Sequence, residues 1–539
     1  RPKRHLLDGL SRYCGRRPRS RTVHWISPVN PKARTAATAN STVAASPPLP
    51  GAALPCAPRF ARAPFALGGA SGYPHPSGTV LWTRLVGALD PVPYPVRWEV
   101  ASDESMRTIV ATGGAIAEPA WAHSVHVEPT GLEPDRWYWY RFMAGDASTP
   151  VARTRTAPRL DAKVERLRFA FASCQQYEQG YYAAHRHIAA DAPDLVAFLG
   201  DYIYESSWGR DKVRAHEAGE PYSLEQYRQR YALYKSDPDL QTAHAACPWI
   251  VTWDDHEVDN DYADDRPEDG MEKDQFLLRR AAAYQAYYEH MPLPERMRPK
   301  GPDMRIYTQL GWGQLARFYV LDDRQYRSWQ SCPRPKRSGG SNTVDIEQCE
   351  RLFNPNRSML GRAQEKWLEN SLSESRSRWN VMAQQTTMAQ FDQKPGPGRR
   401  AWTDGWDGYP ASRQRLLEHL VKERVANPVV LGGDVHSFNV ADLKLDFDDP
   451  ESAVVASEFV GTSVTSQAWP QERLNTFLPD NPHMKLVDSR YRGYVRVEVT
   501  PGRMRADLRA LESVQARDAA CSTLATFVVE DGKAGAVRL

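Results

Sequence analysis

The sequence predicts a layered α/β core preceded by an antiparallel β-sandwich. Short apolar runs recur from Arg166 onward, and amphipathic helical stretches separate them, the pattern of a buried sheet covered by helices. Ahead of them, polar and apolar residues alternate in segments rich in β-branched and aromatic side chains, as in half-buried antiparallel strands. At 539 residues the chain is long enough for more than one domain. With 41% hydrophobic and 25% charged residues it has the balance of an ordinary folded protein, and no apolar run approaches the roughly 20 residues that span a bilayer.

Residues 1–63 form a basic, Ala/Pro-rich segment. "TAATANSTVAASPPLPGAALP" (Thr35–Pro55) has little to bury and is expected to be disordered. "KRHLLDGL" (Lys3–Leu10) resembles the basic start of a twin-arginine export signal, and "RFARAPF" (Arg59–Phe65) offers an A-x-A-like cleavage site. The stretch between lacks a continuous apolar region, so the signal is atypical. A periplasmic or secreted location is the expectation.

Residues 64–160 are expected to form a fibronectin III-like β-sandwich packed beside the larger domain. "TVLWTRL" (Thr79–Leu85), "YPVRWEVAS" (Tyr94–Ser102) and "WAHSVHVE" (Trp121–Glu128) read as strands. "GLEPDRWYWYRF" (Gly131–Phe142) resembles the tyrosine-corner region of fibronectin type III modules.

Residues 161–539 carry the core. Strands are predicted at "RLRFAFAS" (Arg166–Ser173), "PDLVAFLG" (Pro193–Gly200), "CPWIVTW" (Cys247–Trp253), "ARFYVLD" (Ala316–Asp322), "RWNVMAQQ" (Arg378–Gln385) and "NPVVLGG" (Asn427–Gly433). Helices are predicted at "QGYYAAHRHIAA" (Gln179–Ala190), "SLEQYRQRYALY" (Ser223–Tyr234), which opens on a capping serine, and "DQFLLRRAAAYQAYYEHM" (Asp274–Met291). The alternation is expected to continue to about residue 510, with no internal repeat.

The net charge of +3 is unevenly spread. Residues 1–22 hold eight Lys or Arg and one acid, which leaves 61 basic against 65 acidic side chains in the remainder. The folded body is therefore slightly acidic, which argues against a nucleic-acid partner. Of the seven cysteines, Cys332 and Cys349 flank a polar, Gly-containing loop, where either a bridge or two free thiols is compatible with the sequence.

Function is legible where the predicted strands end. One stops at Ser173-Cys174-Gln175, the next at Gly200-Asp201-Tyr202-Ile203-Tyr204-Glu205, the third at Asp254-Asp255-His256-Glu257, and a later one at Gly432-Gly433-Asp434-Val435-His436. Ligands of open α/β sheets bind beyond the carboxyl ends of the strands. So many acids on one rim raise each other's pKa and oppose folding, and metal cations supply the missing positive charge. A phenol and carboxylates suit Fe³⁺; carboxylate and carbonyl oxygens suit Ca²⁺.

With those residues in place, the chain resembles the PhoD-type alkaline phosphatases, within the calcineurin-like metallophosphoesterases. The resemblance rests on "FASCQ", "FLGDYIYE", "TWDDHEVDND", "LDDRQYRS", "MLGRAQEKWLENSL", "DGWDGYPASR", "LGGDVHSFNVADL" and "EFVGTSVTS", and covers roughly residues 64–535. It implies a metallophosphoesterase-like core, a central β-sandwich flanked by helices. It also implies a ferric ion held by Cys174, Asp201, Tyr204, Asp434 and His436. Calcium is implied nearby, with Asp201 bridging and Asp254, Asp255 and Asn260 as candidate ligands. Two departures stand out: Tyr73 where the family usually has Asp, expected to lie far from the metals, and Asp323 where Thr is commoner.

The expected chemistry is hydrolysis of phosphate monoesters and diesters by a metal-activated hydroxide. His256 is the candidate phosphate ligand or leaving-group acid. Arg324 is the candidate partner of a phosphate oxygen, with a salt bridge to Asp322 or Asp323 as its alternative. Asp404 and Asp407, beside Trp402 and Trp406, are placed to close the pocket or support it. The nearest alternative is a diesterase acting on phospholipid or teichoic-acid-type esters. A catalytically idle adhesion protein and a zinc acyl-esterase are more distant ones. Phosphate-ester small molecules or polymers are the expected partners, and the chain is expected to be a monomer.

Overall fold

A computed structural model describes residues 60–539. The basic and Ala/Pro-rich start, including Lys3–Leu10 and Thr35–Pro55, lies outside the described residues. Two large sheets face each other. The seven-stranded sheet contains the parallel strands Ala316–Val320, Trp379–Ala383, Pro428–Gly432 and Val454–Val460, side by side. The ten-stranded sheet contains the parallel set Leu167–Ala172, Leu195–Leu199 and Trp249–Thr252.

Side-chain alternation builds the layers. Phe318, Val320, Val381, Ala383, Val429 and Leu431 point into the core shared with the ten-stranded sheet. Phe169 and Phe318 meet edge to face across that core, centroids 5.2 Å apart. The intervening Tyr319, Met382 and Val430 point outward, against Leu368 and Leu372 of the helix Gly361–Ser373 and Leu416, Leu417 and Leu420 of the helix Pro410–Lys422. On the other sheet, the helix Leu224–Lys235 starts with the capping box of Ser223 and Gln226. The helix Lys273–His290 stacks Tyr284 on Trp253 at 4.2 Å.

Two expectations are corrected. Strand and helix do not alternate to residue 510: from Phe438 the chain is mostly antiparallel strand, with Phe438–Lys444, Met484–Asp488, Gly493–Val499, Arg503–Leu511 and Cys521–Glu530 extending the edges of both sheets. These segments have mixed polar and apolar faces, which weakens the signal of a buried parallel strand. The N-terminal sandwich, moreover, is not merely packed beside the core. Its strands Gly69–His75, Gly78–Arg84 and Ser124–Val127 complete the ten-stranded sheet, joined through the parallel register Gly72↔Trp249. Its other face is the sheet formed by Tyr94–Ala101, Ile109–Ala117, Trp137–Ala144, Ala147–Ser148 and Ala152–Arg155. Leu81 and Val125 from one side and Val96, Val100, Tyr140 and Phe142 from the other fill the space between. The Tyr138 hydroxyl accepts the Glu133 amide at 2.9 Å, closing the corner. Tyr73 is part of this junction: its hydroxyl donates to the Val251 carbonyl at 2.7 Å, on the strand that leads to Asp254.

Cys332 and Cys349 are joined in a disulfide, their Cα atoms 6.2 Å apart. The loop it closes contains Thr343–Asp345, which pairs antiparallel with Arg400–Trp402, and Cys349, Leu352 and Ala401 pack together beside that pair. Loop-closure entropy gives such a bridge roughly 3 kcal/mol. Cys332→Ser with Cys349→Ser should lower unfolding free energy by about that amount in urea titrations; an unchanged midpoint would show that the bridge adds nothing.

Candidate metal centre

The carboxyl ends of both parallel strand sets open onto one cavity of about 670 Å³, and Asp255, His256, Asp434 and His436 line it. Each group arrives on a backbone bent sharply at a strand end. Cys174 (φ 61°), Asp201 (φ 56°), Asp434 (φ 65°) and His436 (φ 55°) all adopt the left-handed conformation, which costs a non-glycine residue on the order of 1 kcal/mol. Four such residues in one rim mark a site where geometry is held at the expense of stability. Gly200 (φ 101°) makes the bend before Asp201, and a Cβ there would stand 2.5 Å from the Cβ of Asp254.

The predicted ferric ligands come together. Ligand atoms of Cys174, Asp201 and His436 lie within 4.8 Å of one another. The Tyr204 hydroxyl donates to Asp201 Oδ2 at 2.7 Å and lies 3.1 Å from His436 Nε2. His436 Nδ1 is 2.7 Å from the Gln467 carbonyl, which can only accept, so the proton sits on Nδ1 and Nε2 offers its lone pair to the centre. Ser466 reaches both the Cys174 carbonyl and the Tyr204 hydroxyl at 2.8 Å. Asp434 lines the same cavity, with one buried oxygen lacking a partner.

Asp201 also belongs to a second group, with Asp255 and His256, and Asp255 to a third, with Asp261 and Asp404. Glu257 ties the segments together: its carboxylate accepts the backbone amides of Asp201, Tyr202 and Asp254 at 3.1, 2.6 and 2.8 Å. The Asn260 side-chain amide donates to Glu268 at 3.0 Å on the cavity wall.

Arg324 sits elsewhere than expected. It is fully buried beneath the carboxylates instead of on the cavity wall, and it does not pair through its guanidinium with Asp322 or Asp323. Its Nε donates to Asp254, its Nη1 to Asp404 at 2.8 Å, and its Nη2 is 3.7 Å from Asp255. Arg327 and Gln330 also donate to Asp404. Asp407 instead holds the Phe391 amide at 2.8 Å and Arg413 at 2.7 Å.

The donor set fits cations. Oδ1 of Asp201, Oδ2 of Asp254 and Oδ2 of Asp434 are buried without a hydrogen-bond partner, an arrangement that proteins avoid unless something supplies positive charge. Burial pushes Asp201 and Asp254 well above the usual carboxylate range and Asp434 up to about 7, even with Arg324 opposing the rise at Asp254 and Asp434. Burial, reinforced by the Asp201 charge, likewise pushes the Cys174 thiol and the Tyr204 phenol far up. Bound cations reverse that balance by favouring thiolate, phenolate and carboxylate. His256 behaves oppositely. Burial alone would lower its pKa, but Glu205, Asp255 and Asp201 hold it well above the ordinary value, with Nδ1 2.7 Å from Glu205.

Comparison with known proteins agrees with this architecture. Residues 169–508 match the family model described as PhoD-like phosphatase, and residues 51–158 match its N-terminal domain. The chain belongs to the PhoD-like phosphatase family. It is 46% identical over 495 residues to alkaline phosphatase D of Bacillus subtilis (strain 168), covering 89% of this chain and 83% of that protein. A solved structure described as "Structure of PhoD" superposes with a TM-score of 0.84 at 45% identity, covering 90% of this chain and 93% of the other. The protein is thus a phosphoric ester hydrolase with a mixed α/β fold. Among the described residues no helix is long and apolar enough to cross a membrane.

Glu205, Glu257, Ser466 and Asp261 are the groups that sequence reasoning did not assign. The first two lie inside the quoted strand-end motifs, where an acid reads equally well as a solvated loop residue.

Proposed function

We propose that the enzyme hydrolyses phosphate monoesters and diesters at a mixed metal centre. Cys174, Asp201, Tyr204, Asp434 and His436 would hold Fe³⁺, and Asp201, Asp254, Asp255 and Asn260 would hold Ca²⁺. The observation that carries this reading is the convergence of thiol, carboxylate, phenol and imidazole around buried carboxylate oxygens that have no partner. Bound there, the cations would make water acidic enough to attack phosphorus and would neutralise phosphate oxygens.

The protein's own groups do the rest. Glu205 holds His256 at Nδ1, which favours the protonated ring and leaves Nε2 as the nitrogen that would donate a proton to the departing ester oxygen in the cavity. Glu257 fixes the backbone of two strand ends against each other. Gln467 fixes the tautomer of His436. Arg324 acts as a positioning residue, holding Asp254 and Asp404 from beneath. The disulfide supports a periplasmic or secreted location, because such bridges persist in oxidising compartments.

Purified protein should release p-nitrophenol from p-nitrophenyl phosphate, lose that activity on prolonged chelation and regain it with Fe³⁺ and Ca²⁺. Full activity after exhaustive chelation, with metal analysis showing none left, would overturn the reading. The rate on bis(p-nitrophenyl) phosphate against the monoester ranks a diesterase preference against a monoesterase one.

A further inference from the structure

The cavity is much larger than a phosphate group requires, and its lining is mixed. Asp255, His256, Asp434 and His436 line it together with further polar groups such as Glu220, Asp259, Glu268 and Arg334. Phe391, Trp402, Trp406, Leu474 and Val487 line it as well, and nothing in the mechanism uses them. At about 670 Å³ the space is large enough to enclose a ligand of drug size.

The apolar wall is built, not incidental. Leu474 and Val487 form a small core with Phe477, and Phe391 packs on it. Asp407 holds the Phe391 backbone. Trp406 is fully buried and donates its indole N–H to Gln384 at 3.1 Å. Trp402 ends the strand Arg400–Trp402, which pairs with Thr343–Asp345 of the disulfide-closed loop, and its ring lies over Gly405, where a Cβ would stand 3.1 Å from it. Its ring is half-buried and lines the cavity, so part of its aromatic surface is open to a ligand.

We infer that this wall is a subsite for the organic group of the ester, and that the enzyme prefers phosphate esters whose alcohol presents an aromatic or extended apolar face over esters of small polyols. The inference rests on the phosphoesterase reading and adds the substrate class. An apolar face against Trp402, Phe391 and Leu474 is removed from water on binding, which contributes equally to the ground state and the transition state. The preference therefore lies in KM, with kcat little changed.

The test uses the metal-loaded enzyme and two non-hydrolysable probes, phenylphosphonate and methylphosphonate, with binding read by calorimetry. Phenylphosphonate should bind at least about tenfold more tightly, and Trp402→Ala should remove most of that gap while Trp402→Phe keeps it. In parallel, Trp402→Ala should raise KM for p-nitrophenyl phosphate about tenfold and leave KM for glycerol phosphate unchanged. Equal affinities for the two phosphonates, or equal losses for both in Trp402→Ala, would overturn the subsite while leaving the hydrolytic reading intact. Failure of the wild-type enzyme to hydrolyse either ester would bring down both.

Discussion

Asp434→Ala should lower kcat/KM on p-nitrophenyl phosphate by at least about 10³-fold, roughly 4 kcal/mol of transition-state stabilisation. On the proposed ferric assignment, the same variant should also fail to retain iron and should lack the visible colour that a tyrosinate–Fe³⁺ bond would give. Asp434 stands just after the strand Pro428–Gly432, in the left-handed backbone conformation, with a buried oxygen left free. Because burial has already pushed its pKa up to about 7, deleting the carboxylate relieves the metal-free protein. Its thermal unfolding temperature without metal should hold or rise, in contrast to the loss of activity. A variant that keeps stoichiometric iron and loses less than tenfold in rate would remove Asp434 from the centre.

Arg324→Leu should cost about 3–5 kcal/mol of stability, the effect of stripping a buried cation from its acids. Asp254 and Asp404 would then lose their shared cation, with Arg327 left beside Asp404 and His256 beside Asp255. Chevron or equilibrium urea measurements should show the loss, and Asp404→Asn in the same background should recover part of it. An Arg324→Leu protein as stable as the parent would instead overturn the ion network beneath the carboxylates. If the single variant is too unstable to purify, the double variant still reports: recovery of soluble protein on adding Asp404→Asn supports the ion network, and no recovery opposes it.

The strands that build the site were easy to see because they are buried on both faces and read as continuous apolar runs, as in "LVAFL" and "PVVLG". Their polar ends stood out for the same reason, so Cys174, Asp201, Tyr204, Asp255, His256, Asp434 and His436 were recognisable as a set. The partners of those groups were not. Gln467 and Ser466 reach the centre from a loop after the strand Val454–Val460, and no local pattern tells a carbonyl that orients an imidazole from any other carbonyl. The partners of Arg324 are not legible locally: adjacency points to Asp322, Asp323 or a phosphate oxygen, whereas Asp254 and Asp404 lie 70 and 80 residues away. The C-terminal strands lack that signal because polar residues interrupt them even where they are buried, as in "FNVADLK" and "GYVRVEV".

The shared register Gly72↔Trp249 has a further consequence. A protease cut or gene truncation near residue 160 would not release a free-standing catalytic half. Removing the N-terminal strands would uncover the edge of Trp249–Thr252 next to Gly72, and an uncovered strand edge favours self-pairing and precipitation. The first hundred described residues are thus less an appendage than the hem that keeps the catalytic sheet from fraying into its neighbours.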